Sequence, residues 1–423
     1  MHPRIIILAL AVAACSSDGT SSTDGSATSN ETVTAYYQSG GTVTRTGMAY
    51  GSSTADESGV KVVSAGTFTL SDSTVTTSGD TSSGDDSSFY GLNAGVLATT
   101  ASTIKLSDST VTTTGTGANG VFATGAGTSI ALANVTIQCS GQLGHGVDAT
   151  VGASLSLADV AITTAGANGA AIATDRGGGT ITVTGGTMKT SGADSPGIYS
   201  TGAITVSGAA LAASGSEAAV IEGENSITLT NTSLSGAKKR GVMIYQSMSG
   251  DASGSQGTFT MTGGSLSAAV GPLFYVTNTT GVIALHGVEL TATSGALIDA
   301  SAGNWGTSGA NGGTAKLTAD DVALVGSVIA DSISAISVSL TSGSSLTGSI
   351  DNAALSLDAT SSWSVGADST LTSLRDASGI SGTTITNIFG NGHTVTYDPS
   401  LAESSALGGA TYSLSGGGTL APR

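Results

Sequence analysis

Few residues in this chain are placed to do chemistry. Asp85 and Asp86 form an adjacent carboxylate pair, and His145 stands between glycines in Gly144-His145-Gly146. Two carboxylates flanking a glycosidic bond can serve as acid and base or as nucleophile. These motifs lie far apart in the chain, however, and Asp85 and Asp86 fall in a Gly/Ser-rich loop, Gly79 to Ser88, that reads as an insertion. Calcium needs several converging oxygens, yet Asp56-Glu57, Asp85-Asp86, Glu222 with Glu224, and Asp320-Asp321 are scattered. Arg176, beside Asp175, is the one plausible basic partner in the regular part of the chain, and it precedes a Gly-Gly-Gly turn. Serine is too abundant to nominate a nucleophile, and the four histidines are isolated. The expectation is therefore no catalytic residue, no metal set and no cofactor.

What positions these residues is a repeat. Gly95-Val96-Leu97-Ala98-Thr99, Gly120-Val121-Phe122-Ala123-Thr124 and Gly146-Val147-Asp148-Ala149-Thr150 recur at about 25 residues, a period typical of solenoids. Each is followed by a second strand-like run (Ile104-Lys105-Leu106, Ile130-Ala131-Leu132, Leu155-Ser156-Leu157), a turn, and a third run. Three short strands per repeat describe one coil of a parallel β-helix. Alternation along a strand points Val96, Ala98, Val121, Ala123, Val147 and Ala149 inward. Asp72, Asp108, Asn134, Asp159, Asn231 and the glycines Gly185, Gly208 and Gly263 fall between the second and third strands. These residue types tolerate left-handed backbone, so they read as turn-makers. Cys139 lies in a strand-like run and reads as a small core residue. Past about residue 300 the period loosens, and residues 361–423 read as an atypical terminal cap.

The outward phase of the first strand defines a column of Leu97, Phe122, Asp148, Ala171, Tyr199, Ile221 and Met243, with Tyr245 and Tyr275 nearby. Leu97, Phe122, Tyr199, Met243, Tyr245 and Tyr275 thus form a candidate binding strip. Tyr rings stack on sugar faces and hydrogen-bond through the hydroxyl. A threonine ladder for ice or mineral contact is broken at Gln138, Met188-Lys189 and Ala212-Ala213.

Composition limits the partners. The 423 residues carry a net charge of −17, and only 10% are charged. An acidic chain does not track a phosphate backbone, which excludes nucleic acid. The one basic run, Lys238-Lys239-Arg240, reads as a solvated turn or a contact for an anionic glycan. The abundance of Val, Ile and Thr argues for order rather than a disordered Gly-rich chain.

The N-terminus carries a positive start, Met1-His2-Pro3-Arg4, and an apolar run from Ile5 to Val12 that suits a signal peptide and is too short to span a bilayer. It ends in Val12-Ala13-Ala14-Cys15, which resembles the bacterial lipobox. That resemblance implies a signal peptide over 1–14, a lipid on Cys15 that anchors the chain in a membrane, and a polar tether over 15–31. Ser16, where some lipoproteins carry an Asp that retains them at the inner membrane, implies the outer membrane or cell surface, or a periplasm-facing location.

The repeats and cap, 32–360 and 361–423, resemble the right-handed parallel β-helices of bacterial adhesin-like surface proteins, within the broader pectate-lyase-like superfamily. The resemblance implies an all-β solenoid with a C-terminal β cap. It also implies a non-catalytic surface role in binding carbohydrate or a cell-surface protein, the alternative being a polysaccharide-active hydrolase or lyase. Polygalacturonases of that superfamily carry Asn-Thr-Asp, Asp-Asp, Gly-His-Gly and Arg-Ile-Lys on successive coils. Here Asp85-Asp86 and His145 are more than two coils apart, and the other two motifs are missing. The membrane barrel that ends autotransporter adhesins is also missing, and Cys15 would supply the anchor instead.

Overall fold

The computed structural model describes residues 33–423. The segments read from the sequence as a signal peptide (1–14) and as a lipidated Cys15 with its tether (15–31) lie outside the described residues. Within them the chain winds into a right-handed parallel β-helix that is 53% strand and 3% helix. No described helix is long and apolar enough to cross a membrane.

Each coil lays one strand on each of three faces, and each strand pairs in parallel with its counterpart in the next coil. On face one Val96–Thr99, Val121–Thr124, Val147–Thr150, Ile172–Thr174 and Ile198–Ser200 stack in register. On face two Thr103–Ser107, Ser129–Ala133, Ser154–Ala158, Thr180–Thr184 and Ala203–Ser207 do the same. The core is the stack of inward residues: Ile104, Ile130, Leu155, Ile181 and Ile204 form one column and are all buried. Removing such side chains from water is the main drive for the fold. Val96, Ala98, Val121, Ala123, Val147 and Ala149 face this core as expected, and Cys139 packs there with its thiol pushed up to about 11 by burial.

The corners follow from backbone sterics. Asp72, Asp108, Asn134, Asp159 and Asn231 all adopt φ between 47° and 54°, as the turn-maker reading predicts. These side chains tolerate the left-handed region better than others do. Where the corner is Gly185, φ is 69°, a conformation that glycine adopts without a Cβ penalty.

The loosened period after residue 300 is a shortening of the coils. Leu340 pairs with Leu357 in parallel register with far fewer residues between them than in the earlier coils. Antiparallel pairing appears only near the end of the described chain, between Ile380–Ser381 and Thr384–Phe389 and between Tyr412–Ser415 and Thr419–Pro422.

Two features depart from the sequence reading. The Gly79–Ser88 insertion runs into a helix, α1 (Gly84–Tyr90). Ser83 caps it by accepting the Asp86 N–H, Asp85 and Asp86 favour its positive N-terminus, and Gly91 closes it at φ 71°. Second, Ala171 and Ile221 belong to the core rather than the outward column. Ile172 must sit over Val147 to keep the core continuous, which puts Ala173 over Asp148 and Val220 over Tyr199.

Candidate functional site

Face two and the third face (Thr110–Thr113, Thr136–Cys139, Ala161–Thr164 and Thr187–Thr190) alternate buried and less buried residues, but several strands of face one do not. Val121–Thr124, Val147–Thr150 and Phe274–Thr277 are buried on both sides. The inner side packs on the core, while α1 and loops cover much of the outer side.

The expected strip is therefore neither open nor continuous. Leu97 and Phe122 are 3% and 0% exposed, packed with Ala94 beneath α1. Met243 and Tyr275 are buried with Val220 in a second cluster, against which Tyr199, Tyr245 and Trp305 lean. The strand residues face outward as expected, and segments outside the strands hide them, α1 over Leu97 and Phe122 and the loop of Trp305 beside Tyr275.

Between these two apolar patches lies an acidic chamber. Asp148 is fully buried, and neither carboxylate oxygen has a hydrogen-bond partner. Burial, reinforced by the nearby charge of Asp175, holds its proton far more tightly than an ordinary carboxyl does. Asp175 is pushed up to about 7, by burial first and then by the charge of Asp251, against the Arg176 N–H bond to its Oδ1 (2.9 Å). His145 is pushed down to about 4 by burial. Its Nδ1 accepts the Ala170 N–H at 2.9 Å, so the neutral ring carries its proton on Nε2. One ligand-type atom from each of His145, Asp148 and Asp175 lies within 4.8 Å of the others. The sequence reading leaves these three residues unconnected: His145 and Asp148 share one coil, and Asp175 comes from the next.

Arg176 covers this chamber. Its guanidinium carbon lies 3.8 Å from the centroid of the Phe89 ring on α1, and its Nη2 pairs with Asp251 Oδ1 at 3.2 Å. Alongside, Glu222 is buried and accepts the hydroxyls of Tyr199 (2.6 Å) and Tyr245 (2.7 Å) and that of Ser247. Both phenols are pushed up by burial first, then Tyr199 by the charges of Tyr245 and Glu222 and Tyr245 by the charge of Glu222. A cavity of about 230 Å³ reaches the chamber past Ser88, His145, Asp175, Asp194 and Tyr199.

Asp85 and Asp86 are exposed on α1 and do not join His145 in an acid–base pair. Residues that sequence reasoning missed left signals nonetheless. Ser83-Gly84-Asp85-Asp86 ahead of Phe89 fits a helix-start pattern. Asp175 lies one repeat beyond Thr150, directly after the strand Ile172–Thr174.

A second, open pocket of about 570 Å³ lies on the same face further along the axis, lined by Lys239, Arg240, Tyr275, Asp299, Asn304 and Trp305, among others. Arg240 lies 4.1 Å over the Tyr275 ring and pairs with Glu217 Oε1 at 3.2 Å. The Trp305 indole meets the Tyr245 ring at 4.7 Å and 53°. Asn311 donates to the carbonyls of Gly303 (2.8 Å) and Trp305 (2.9 Å), which holds that loop in shape. Compared with known proteins, the chain matches no family model, no curated protein and no solved structure.

Proposed function

We propose that this protein is a non-catalytic, adhesin-like surface lipoprotein, anchored through Cys15 at the bacterial outer membrane, whose β-helix binds an oligosaccharide. The observation that carries the reading is the open pocket around Trp305. The Trp305 indole offers an apolar face to a sugar, Arg240 covers the ring of Tyr275, and Lys239, Arg240, Asp299 and Asn304 offer charges and amides at its edges. Aromatic faces with a few placed polar groups are what carbohydrate recognition uses. The contact surface is narrower than the strip read from the sequence: Tyr275 lines the pocket and Tyr245 supports Trp305 from behind.

The test is a glycan array probed with the full purified chain, with product analysis on every glycan that scores. Binding without cleavage that drops at least tenfold in Trp305→Ala supports the reading. Binding unchanged in Trp305→Ala, or no glycan bound, overturns it.

One observation favours a polysaccharide-active enzyme as the second reading: Asp175, held near pH 7, has the protonation range of a general acid, with Asp148 beside it. Against it, Asp148 is fully buried and out of a polymer's reach. Cleavage products that vanish in Asp175→Asn would favour this reading.

A further inference from the structure

The carboxylate of Asp148 lacks a partner in either protonation state. Ionised, it needs donors; protonated, its O–H needs an acceptor; the backbone N–H groups of Ala149 and Asp175 lie near it, yet none stands in hydrogen-bonding geometry to either oxygen. A buried polar group so placed calls for a water or an ion beside it, or for a functional role. The neighbouring groups sharpen its nature. Asp175 and Glu222 add negative charge, and the Arg176 guanidinium is turned toward Phe89 and Asp251. His145 is a donor here, because its Nδ1 lone pair is taken by the Ala170 N–H. A metal on Nε2 would leave the ring with no proton at all, so the ring is wall and not ligand. What remains is an all-oxygen set in an excess of negative charge, reached through the cavity beside Asp175.

We propose that Asp148 and Asp175 together hold one compact cation, a hard divalent metal ion or an ammonium group, beneath the Phe89–Arg176 cover. Hard cations take carboxylate oxygens and keep waters in their remaining positions. A cation there satisfies both orphaned oxygens and removes the repulsion between the two carboxylates. The site is separate from the Trp305 pocket and does not depend on glycan binding.

The experiment uses the full purified chain, stripped with chelator and titrated with Mn²⁺ while free Mn²⁺ is followed by electron paramagnetic resonance. A parallel arm follows melting temperature in Mn²⁺ and in methylammonium. One Mn²⁺ bound per chain, weakened at least tenfold in Asp148→Asn and stronger at pH 8 than at pH 6, supports a metal site. Protection by methylammonium but not Mn²⁺, lost in the same variant, supports the ammonium form. Asp148→Asn melting without cation no lower than the wild type shows that the variant folds; Asp175→Asn serves as the second variant if it does not. No response to either probe, or equal binding by a folded variant, overturns the proposal. Nitrogen modulation from a histidine ring in the pulsed spectrum of bound Mn²⁺ would overturn the all-oxygen assignment.

Discussion

Faces one and two are built from the same repeat and end in different states. Strands of face two, such as Ser154–Ala158 and Thr180–Thr184, bury every second residue and expose the rest. Strands of face one are covered on both sides wherever α1 or a loop folds back. The coil supplies a ladder of equivalent positions, and insertions at its corners decide which of them see water. Chemistry concentrates where the ladder is covered, because burial turns ordinary carboxyls into perturbed ones.

The sharpest way to break this comparison is to remove a side chain that an open face one could lose cheaply. Phe122→Ala is expected to destabilise the protein by about 3–5 kcal/mol, because it empties the space between α1 and the coil. Equilibrium denaturation measures it, and a loss below about 0.5 kcal/mol would mean that Phe122 is solvated like a surface residue. Asn231→Val should cost about 1–3 kcal/mol by forcing a β-branched residue to φ 47°, with Asn231→Gly close to neutral. If valine is tolerated equally well, the corner does not select its residue.

The titrating groups give a pH test. Asp175 binds its proton more tightly folded (about 7) than unfolded, so between its ordinary value of 3.8 and about 7 the folded state holds the extra proton and stability falls as pH rises. Asp148 works in the same direction. His145 is opposite: pushed from 6.5 to about 4, it makes stability rise with pH in that window. The two trends offset each other below pH 6.5, and the carboxyls act alone above it. Cation-free protein should therefore lose stability from pH 6.5 to 8, and Asp148→Asn should lose less. Urea midpoints at the two pH values decide it, and equal slopes would remove the acidic chamber from the comparison. The smallest effect expected is at the helix that does the covering: Ser83→Ala should cost about 1 kcal/mol and speed amide exchange in α1 without changing face two.

The fold was legible because its cause is repeated. One inward pair such as Ile130 and Leu132 means little, but the same pair in coil after coil fixes period, faces and corners. The site was less legible because covering is not periodic. Residues 79–91 break the repeat once, and whether they stay loose or fold over Phe122 depends on a capping serine and an anchoring Phe89. The misplacement of Ala171 and Ile221 has a similar root: with no bulky side chain in Gly169-Ala170-Ala171, only core continuity shows where the strand phase begins. Asp148 was placed on the outer phase, but its pairing with Asp175 needed the three-dimensional stack.

The Arg176 bridge has a mechanical consequence. In a parallel coil the hydrogen bonds run along the axis, so a pull on one end peels the chain off one turn at a time under small, similar forces. Phe89, Arg176 and Asp251 come from distant turns and are tied side chain to side chain across the outer surface. Peeling from the N-terminal end must undo this tie when it reaches Phe89, before the turns behind it can follow. A single-molecule stretching trace should show a regular sawtooth interrupted by one taller event, and Arg176→Ala should flatten that event while leaving the other teeth unchanged.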